Sequence, residues 1–410
     1  MKILLLNQTF YPDTVSTAQH LTDLALDLKE RGHEVTVFAG GHGYDDPSQT
    51  YPSKEEHRGV RIRRVGYTRF GKKSKIGRAV DFATFLLNLF FRLLLVPRQD
   101  RVVALTSPPL VAFFGALHCY LKGGKLVQWV MDLNPDEAVA AGWLKESSLT
   151  ARFLKSVSRW TFRSCEKIIV LDRFMKARLM RNYGVLEAKI AVIPPWAHDE
   201  EIRPLSHERN SFRKEQGLAG KFVVMYSGNH SPCHPLDTVL QAALRFKEDP
   251  EVFFYFIGGG SLTGRVREYA RSNALKNIVQ LPYQPLQRLS ESLSAGDLHL
   301  VVMGDAFPGI LHPCKIYGIL AVGRPFIFIG PEESHLGDLM LKEKFGCRIS
   351  HGDVEGLIEA IRSFRRIGPQ ELEETAKREI ACKDREFGQR VLVPKMIREI
   401  TQSEKTHAYS

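Results

Sequence analysis

The chain opens each of its halves with the same succession of a short apolar strand, a polar loop and a helical segment. In the first half, the strand Ile3–Leu6 leads into the loop Asn7–Ser16 and then into helical periodicity over Thr17–Arg31. In the second half, the strand Phe222–Ser227 leads into the loop GNHSPCHPLDT and a helix over Pro235–Phe246. Strands that alternate with helices in this way predict parallel sheets, so the chain is expected to form two successive α/β domains.

Composition is consistent with two domains and restricts the partners. The 410 residues, 44% of them hydrophobic, are enough for two full cores. The formal net charge of +11 predicts an anionic partner, which can be a nucleic acid, a membrane surface or a phosphorylated substrate. Six cysteines without C-x-x-C or histidine-paired spacing indicate a reduced cytoplasmic protein without a zinc site. The opening MKILLLNQTFYP is expected to be a first strand rather than a signal peptide.

The stretch FPGILHPCKIYGILAVGRP joins two buried apolar strands of the second half, DLHLVVM and RPFIFIG. Its chain breakers end where the apolar spacing begins, so a helix is predicted to start near Pro313 or Cys314 with Lys315 in its first turn. The first turn of a helix carries unpaired N–H groups and positive potential, and an added ammonium favours phosphate as the ligand. The alternative is an ordinary helix start with a solvated lysine.

Further polar residues follow the first strand of the second half. Ligands of parallel sheets lie at the carboxyl ends of the strands, so this loop is expected to line a site. Gly228 allows the backbone to approach a ligand closely, and Asn229, His230 and His234 could donate hydrogen bonds to phosphate oxygens. A zinc site on the two histidines is a weaker alternative, because no third ligand has suitable spacing.

The corresponding loops of the first half are expected to line a second site. Ser16 and Thr17 can cap the first helix or share its N–H groups with an anion, and Tyr11 lies in the same loop. Another strand of this half ends in DLNPDE, which places Asp132 and Asn134 at its carboxyl end. Asp132 is either functional or an ordinary turn residue.

A basic segment and an apolar helix follow in the first half. The segment Arg58–Arg78 contains nine basic residues and no Asp or Glu, and it is predicted to bind anionic lipid. The next stretch, Ala79–Val96, is nearly long enough to span a bilayer, which takes about 20 residues. Polar residues nevertheless recur along it with helical spacing, which favours a membrane-interface helix or a core helix over a spanning one. These polar residues are Asp81, Thr84, Asn88 and Arg92.

The stretch around Lys315 also resembles a known family. Five of its residues fall on the pattern P-x-K-[LI]-Y-x-x-[LM]-A-x-G-[KR]-P, namely Lys315, Tyr317, Ala321, Gly323 and Pro325. This pattern is similar to the sugar-nucleotide loop of family 4 retaining glycosyltransferases with the GT-B fold, in the branch that builds colanic acid, O-antigen and capsule. Many members carry a glutamate pair here. This chain has Ile310 and Gly318 at those positions, so the roles of the glutamates cannot be carried over.

The resemblance implies an architecture and an activity. The fold is expected to be α/β, with two Rossmann-like domains facing across a cleft and a C-terminal helix that returns to the first domain. The boundaries are residues 1–200 for acceptor binding, 201–383 for the nucleotide-sugar and 384–410 for the returning helix. The expected reaction moves a hexosyl or N-acetylhexosaminyl group from a nucleotide diphosphate-sugar, with UDP-sugar favoured, to a polyprenyl-diphosphate-linked or other glycan. Retention, no cofactor, no metal, no nucleic acid, and peripheral attachment to the inner face of the plasma membrane are also expected.

The site residues then take predicted roles. Lys315, His230 and Asp132 are predicted to be catalytic. The predicted donor-binding residues are Gly228, Asn229, His234, Leu281, Pro282, Tyr283, Pro313, Cys314 and Tyr317, with the backbone of Leu281–Tyr283 meeting the nucleobase. The predicted acceptor or phosphate loop contains Tyr11, Ser16, Thr17 and Asn134. Two alternatives remain open, a sugar-nucleotide epimerase on the same fold and a non-catalytic binding partner.

Overall fold

The computed structural model describes residues 1–44, 46–71, 75–198 and 202–402, with the side chain of Lys75 excepted. The described chain divides into two compact units. The first unit contains Met1–Pro195, Gly309–His312 and the chain from Leu392 onward. The second unit contains Trp196–Pro308 and Pro313–Val391.

The first unit is built on an eight-stranded sheet. In chain order, its strands are β1 (Lys2–Leu6), β2 (Glu34–Gly40), β3 (Lys54–His57), β4 (Val60–Val65), β5 (Arg101–Ala104), β6 (Lys125–Trp129), β7 (Cys165–Val170) and β8 (Ile190–Val192). Their spatial order is β3-β4-β2-β1-β5-β6-β7-β8. Every neighbouring pair is parallel except the β3–β4 hairpin. Strand β1 is central, and its Leu4 pairs with Thr36 on one side and Val102 on the other.

Helices connect these strands as the βαβ pattern predicts. They are α1 (Ser16–Glu30), α2 (Lys75–Leu95), α3 (Val111–Lys122), α4 (Asp136–Ala140), α5 (Leu149–Ser164) and α6 (Arg173–Arg178). Within the described ranges, no helix combines the length and the apolar composition that crossing a bilayer requires.

The second unit is built on a six-stranded, fully parallel sheet. Its strands are β9 (Phe222–Ser227), β10 (Val252–Ile257), β11 (Ile278–Leu281), β12 (Leu298–Val302), β13 (Phe326–Ile329) and β14 (Cys347–Ile349), in the spatial order β11-β10-β9-β12-β13-β14. Its helices are α7 (Ser211–Glu215), α8 (Asp237–Arg245), α9 (Thr263–Ser272), α10 (Leu289–Ser294), α11 (Lys315–Val322), α12 (His335–Glu343), α13 (Val354–Arg366) and α14 (Pro369–Cys382). The final helix, α15 (Gln389–Thr401), begins here and belongs to the first unit from Leu392 on.

Both sheets reverse their strand order at one point. In the first unit, the reversal lies between β1 and β5, and in the second unit it lies between β9 and β12. Loops leaving the carboxyl ends of strands on opposite sides of such a reversal diverge and leave a crevice where ligands bind. The fold therefore directs attention to the loop after β9 and the start of α11 in the second unit. In the first unit, it directs attention to the loops after β1, β5 and β6.

The basic segment Arg58–Arg78 is partly ordered as sheet. Arg61 and Arg64 lie in β4, where Arg61 pairs with Glu34 (3.2 Å) and the buried Arg64 pairs with Glu55 (2.5 Å). Arg58 pairs with Glu30 (3.3 Å). These guanidinium groups already have carboxylate partners, so this part of the segment offers less free positive charge than its sequence indicates. Lys72, Lys73 and the side chain of Lys75 lie outside the described residues.

Candidate active site

The ammonium group of Lys315 is the central feature of the second unit's crevice. Lys315 is the first residue of α11, as the chain breakers before it predict. The apolar residues Ile316, Ile319 and Leu320 are buried and fix this helix against the core. The residue as a whole is partly exposed, but its Nζ is enclosed and has no hydrogen-bond partner among the described residues. A buried ammonium without an anion is costly, so this position is unfavourable until a negative ligand arrives.

Tyr226 and Gly228 enclose this ammonium. Tyr226, near the end of β9, is 1% exposed, and its ring centroid lies 3.6 Å from Lys315 Nζ. A cation over an aromatic face is attracted by the ring quadrupole, which partly compensates the lost hydration. Gly228 has φ +140, and a Cβ there would lie 3.1 Å from Lys315 Cε and Nζ. The position therefore requires glycine for both its backbone conformation and its proximity to the lysine.

The pKa of Lys315 is lowered to about 7 by burial of the ammonium. At neutral pH the side chain is thus close to half-protonated, whereas an exposed lysine would be fully charged. An anion placed beside Nζ would favour the protonated form and raise this pKa again. Lys315 is therefore expected to take up a proton, and so to become positively charged, when a negative ligand binds.

Two neutral histidines accompany the lysine. His230 is buried, and neither ring nitrogen has a hydrogen-bond partner within the described parts of the chain. Burial, followed by the charge of Lys315, lowers its pKa to about 4. Burial, Lys315 and His230 lower the pKa of His234 to about 3. His234 Nδ1 donates to the carbonyl of Val302 (2.7 Å), so its neutral ring presents Nε2 as an acceptor. The neutral ring thus has no N–H left for a phosphate oxygen, and the predicted donation by His234 requires the doubly protonated ring.

The loop after β9 is held by backbone hydrogen bonds. The N–H of Gly228 donates to Ile257 O (2.9 Å), and that of His230 donates to Gly259 O (2.8 Å). Both N–H groups are thus engaged within the second unit, and neither is left to donate to a ligand. Asn229 is exposed, and its carbonyl accepts a hydrogen bond from the Tyr226 hydroxyl (2.7 Å). Tyr226 thus both faces the lysine and ties down the loop.

A second glycine loop borders the same crevice and was not identified as a site from the sequence. Gly260 has φ +140, and a Cβ there would lie 2.3 Å from His230 O. The ring of Tyr283 packs on Gly259, with Cε2 3.3 Å from the position of a Cβ. Tyr283 and Pro282 are exposed, and Leu281 ends β11. The predicted base-binding segment therefore lies beside the loop that supports His230.

The other predicted donor residues divide into two groups. Pro313 is buried and Cys314 is the N-cap residue of α11, so both shape the start of the helix that carries Lys315. Tyr317 is 2% exposed, its hydroxyl lies 3.3 Å from His335 Nε2, and its ring lies 4.9 Å from that of Phe387. Tyr317 therefore packs in the interior of the second unit, and these contacts account for its side chain without a ligand.

The first unit carries two half-buried acids, Asp132 and Glu137, after β6. Asp132 follows β6, and its backbone N–H donates to Thr106 Oγ1 (3.3 Å). Burial, and then the neighbouring carboxylate of Glu137, raise the pKa of Asp132 to about 7. Burial also raises the pKa of Glu137, which accepts a hydrogen bond from Asn134 Nδ2 (3.1 Å). A cavity opens beside these groups, lined by Thr106, Phe113, Gln128, Asp132, Asn134 and Ser158.

The loop after β1 differs from the prediction. Helix α1 starts at Ser16 after Val15, with no side-chain cap, so the predicted capping by Ser16 or Thr17 is wrong. Their hydroxyls instead approach His20 Nδ1 (3.3 Å) and Thr9 Oγ1 (3.0 Å), respectively. The exposed ring of Tyr11 stacks on His57 at 3.8 Å.

The segment Gly309–His312 connects to the acids of the first unit. Ile310, which occupies the position of the first family glutamate, accepts a hydrogen bond from the N–H of Leu133 (2.8 Å). His312 Nδ1 lies 2.9 Å from the buried carboxylate of Asp172. The sequence showed neither contact, because both join residues far apart in the chain. The residue after Asp132 is thus fixed by this segment.

Metal ligation by the two histidines is not supported. In the described chain, the side chains that could share a metal ion are Glu343, Cys382 and Glu386, whose ligand atoms lie within 4.8 Å of one another. Both of these carboxylates already pair with Arg385 (2.7 and 2.9 Å).

Sequence comparisons show that the chain is similar to glycosyltransferases. Residues 17–201 match the model of glycosyltransferase family 4. The chain is 28% identical over 244 residues to the probable glycosyltransferase WbjE of Pseudomonas aeruginosa, a match that covers 59% of this chain and 60% of that protein. It is 24% identical over 379 residues to the putative colanic acid biosynthesis glycosyl transferase WcaI of Escherichia coli K12, covering 88% of this chain and 91% of the relative. The match to WbjE thus spans less than two thirds of that protein.

Solved structures agree on the fold. Sucrose-phosphate synthase from Thermosynechococcus elongatus superposes with a TM-score of 0.75 at 14% identity, covering 97% of this chain and 98% of that one. Anabaena HepE in complex with UDP and glucose superposes with a TM-score of 0.73 at 16% identity, with the same coverage of 97% and 98%. The predicted α/β architecture with two parallel-sheet domains is confirmed. The chain has the GT-B fold, and its residues 17–201 are similar to glycosyltransferase family 4.

Proposed function

We propose that this protein transfers a sugar from a nucleotide diphosphate-sugar, with UDP-sugar favoured, to a lipid-linked or other glycan of the cell surface. The observation that carries the proposal is the buried Lys315 ammonium at the start of α11, without an anionic partner in the described residues. A diphosphate would supply the missing charge. The relative WcaI is named for colanic acid biosynthesis, and HepE was solved with UDP and glucose, which supports this substrate class.

Lys315 then acts on the leaving group. When the bond between the sugar and the diphosphate breaks, negative charge grows on the departing phosphate oxygen. A preorganised cation at that oxygen stabilises the transition state more than the bound substrate, which is the condition for faster turnover. The positive end of the α11 dipole acts in the same direction. Of the two histidines, His230 is the one with ring nitrogens free to donate or accept as the phosphate charge changes.

The reaction we propose retains the anomeric configuration and needs neither a carboxylate nucleophile nor a bound metal. The departing phosphate takes the proton of the acceptor hydroxyl on the same face of the sugar as the new bond forms. Ile310 and Gly318 at the positions of the family's glutamates are compatible with this route. Asp132, in its ionised form, accepts a hydrogen bond from the acceptor hydroxyl in the cavity of the first unit and orients it for attack.

Titration calorimetry with UDP, GDP and dTDP tests the donor class. Transfer is then measured with the matching nucleotide-sugar and a polyprenyl-diphosphate-linked saccharide, and proton NMR of the product reports the anomeric configuration. We expect UDP to bind best, the product to keep the donor's configuration, and EDTA to leave the rate unchanged. Failure of every nucleotide to bind would contradict the proposal. Conversion of a sugar nucleotide without an acceptor would instead indicate an epimerase.

A further inference from the structure

Helix α2 lies in the first unit with its polar stripe turned toward the protein. Asp81 is 5% exposed, and its carboxylate accepts hydrogen bonds from the Thr68 hydroxyl (2.7 Å) and the N–H groups of Phe70 (3.1 Å) and Gly71 (2.8 Å). On the same stripe, Asn88 Nδ2 donates to Gly66 O (2.7 Å). Asp81, Thr84 and Asn88 of this stripe therefore bind the preceding loop, although Asn88 is itself exposed.

Much of the apolar surface of α2 is exposed as a result. Val80, Leu87, Phe91, Leu94 and Leu95 are all exposed, with Leu95 reaching 86%. Their spacing of three, four or seven residues places them along one side of the helix. A monomeric soluble protein rarely exposes so many adjacent large apolar side chains without a binding role.

Aromatic rings continue this surface across two more helices. Ring centroids of Phe91 and Phe90 in α2 are 5.5 Å apart, and Phe90 lies 5.9 Å from Phe114 in α3. Phe114 lies 5.3 Å from Phe113, which lies 5.3 Å from Trp160 in α5. Exposed apolar residues flank this chain of rings on the two added helices, namely Tyr120, Leu121, Leu149 and Phe153. One continuous surface thus spans α2, α3 and α5.

The charges on these three helices have one sign at the surface. Asp81 is their single acidic residue, and it is buried. Among the described side chains, the exposed basic residues are Arg78 in α2, Lys122 in α3, and Arg152, Arg159 and Arg163 in α5. On α5, Arg152 follows Leu149 by three positions and precedes Phe153 by one. Arg159 precedes Trp160 by one position, and Arg163 follows it by three. A basic stripe therefore runs along the helix beside an apolar stripe. An apolar face bordered by cations is typical of helices that lie in the interface of an anionic bilayer.

We propose that α2, α3 and α5 form a surface that docks onto a bilayer containing anionic lipids, with the exposed side chains inserted and the basic stripe on the headgroups. A second copy of the chain is a poorer occupant, because it would bring the same positive charges against these helices. Trp160 and Tyr120 are of the types enriched at membrane interfaces. The surface shares only residues 75–78 with the predicted basic segment, whose Arg61 and Arg64 in β4 already have carboxylate partners.

Flotation of the full chain with vesicles tests this surface. We expect binding to vesicles of 70% phosphatidylcholine and 30% phosphatidylglycerol, and clearly weaker binding to pure phosphatidylcholine. The double variant Leu87→Ser/Phe91→Ser should lose at least about tenfold in partitioning, because two inserted side chains are removed. Arg152→Glu/Arg159→Glu should lose binding to the anionic vesicles in particular, because it reverses the charge of the basic stripe.

Leu341→Ser is the matched control, since Leu341 is 68% exposed, close to Leu87 (55%) and Phe91 (56%), but lies in α12 of the second unit. It should bind vesicles like the wild type. Circular dichroism and UDP binding confirm that each variant is folded. A second readout is a blue shift of tryptophan fluorescence on vesicle addition, which Trp160→Phe should largely abolish.

Three results would overturn the proposal. The first is a wild-type protein that ignores the anionic vesicles, and the second is a Leu341→Ser variant that weakens binding as much as the double variant. The third is a dimer in solution that dissociates in Leu87→Ser/Phe91→Ser while vesicle binding is unchanged, which would show that a second copy covers the surface. Because nucleotide binding is measured separately, failure here is distinguishable from failure of the proposed transfer reaction.

Discussion

The two units place ionisable groups of opposite charge after strands of their parallel sheets. In the second unit, Lys315 and two neutral histidines lie beside the reversal of strand order. In the first unit, Asp132 and Glu137 follow β6, which is separated from the reversal of strand order by β5. Burial moves the pKa of Lys315 and that of Asp132 to about 7 from opposite directions. Each unit therefore holds an ionisable group at a cost in stability, as is typical of functional sites.

The sign of the charge distinguishes what each crevice can bind. A buried cation at a helix start attracts phosphate oxygens, whereas a buried carboxylate can only accept hydrogen bonds and so suits a hydroxyl group. In the function we propose, the second unit binds the donor and the first unit binds the acceptor. If this comparison is right, variants in the two units should separate donor chemistry from acceptor chemistry.

The largest expected effect is that of Lys315→Ala. Removing one preorganised donor from a developing oxyanion costs about 100-fold or more in turnover, which is about 3 kcal/mol of barrier. Because this interaction strengthens as the bond breaks, kcat should fall more than the affinity for the nucleotide. Lys315→Arg keeps the charge but not the compact shape, so it should retain partial activity. The measurements are steady-state transfer rates and calorimetric donor affinity.

Lys276→Ala is the control, because Lys276 is an exposed lysine of the second unit. Near-normal turnover of a folded Lys315→Ala variant would remove Lys315 from the mechanism and leave the charge comparison without functional meaning.

Asp132→Asn should lower transfer by about tenfold or more without changing the affinity for the nucleotide, because it affects the acceptor hydroxyl alone. In the wild type, kcat/KM for the acceptor should fall below pH 7, where Asp132 becomes protonated.

The neighbouring Glu137 contributes to the raised pKa of Asp132. Glu137→Gln should therefore lower that pKa and move the acid limb of the pH profile to lower pH. An unmoved limb in this variant would show that another group controls the profile.

Local pattern was sufficient to predict most strands of the two sheets and the start of α11. Apolar runs bounded by chain breakers identify the strands, and the period of the residues after Lys315 identifies the helix. The same pattern could have found β4, because Val60, Ile62 and Val65 are buried while Arg61 between them is exposed. The density of arginine there obscured a strand that the burial pattern makes plain.

Other features could not be read from the sequence, because they depend on contacts between distant residues. The ring of Tyr226 under Lys315 joins a strand to a helix far along the chain, and so does the contact of His312 with Asp172. The polar residues of α2 recur every three or four positions in the sequence, which identifies a stripe on the helix. This spacing does not tell which side of the helix faces the protein. The amide and hydroxyl groups of the stripe could be satisfied by water or by a loop, and the structure shows the loop.

A smaller effect tests the cation directly through the uptake of protons. At pH 8, Lys315 is mostly neutral in the free protein, because its pKa is about 7. Bound UDP should raise that pKa, so binding should take up close to one proton. Calorimetry in two buffers of different ionisation enthalpy measures this uptake. Lys315→Met should abolish it and Asp132→Asn should leave it intact, whereas equal uptake in both variants would assign the proton to another group.

The last expected effect is on stability, and its dependence on pH should have opposite sign in the two units. Lys315 has a pKa of about 7 in the folded protein against an ordinary lysine pKa of 10.5, so the unfolded chain binds more protons between these values. Stability should therefore rise with pH across this window, by at most about 1.4 kcal/mol per pH unit. Lys315→Met should remove that rise, and so raise Tm relative to wild type most at pH 7 and below.

For Asp132, with a folded pKa of about 7 against 3.8, the folded protein binds more protons between these values, so stability should fall as pH rises through this window. Asp132→Asn should remove that loss and raise Tm relative to wild type most at pH 7 and above. Calorimetric Tm values for both variants from pH 5 to 10 give the two curves. The prediction would be contradicted if Tm depended on pH in the same way for both variants, or if either variant were less stable than the wild type at every pH. Either result would mean that other groups of the native protein stabilise these two charges. The two units would then differ only in their neutral hydrogen-bonding groups. The argument that one unit binds a phosphate and the other a hydroxyl group would fail.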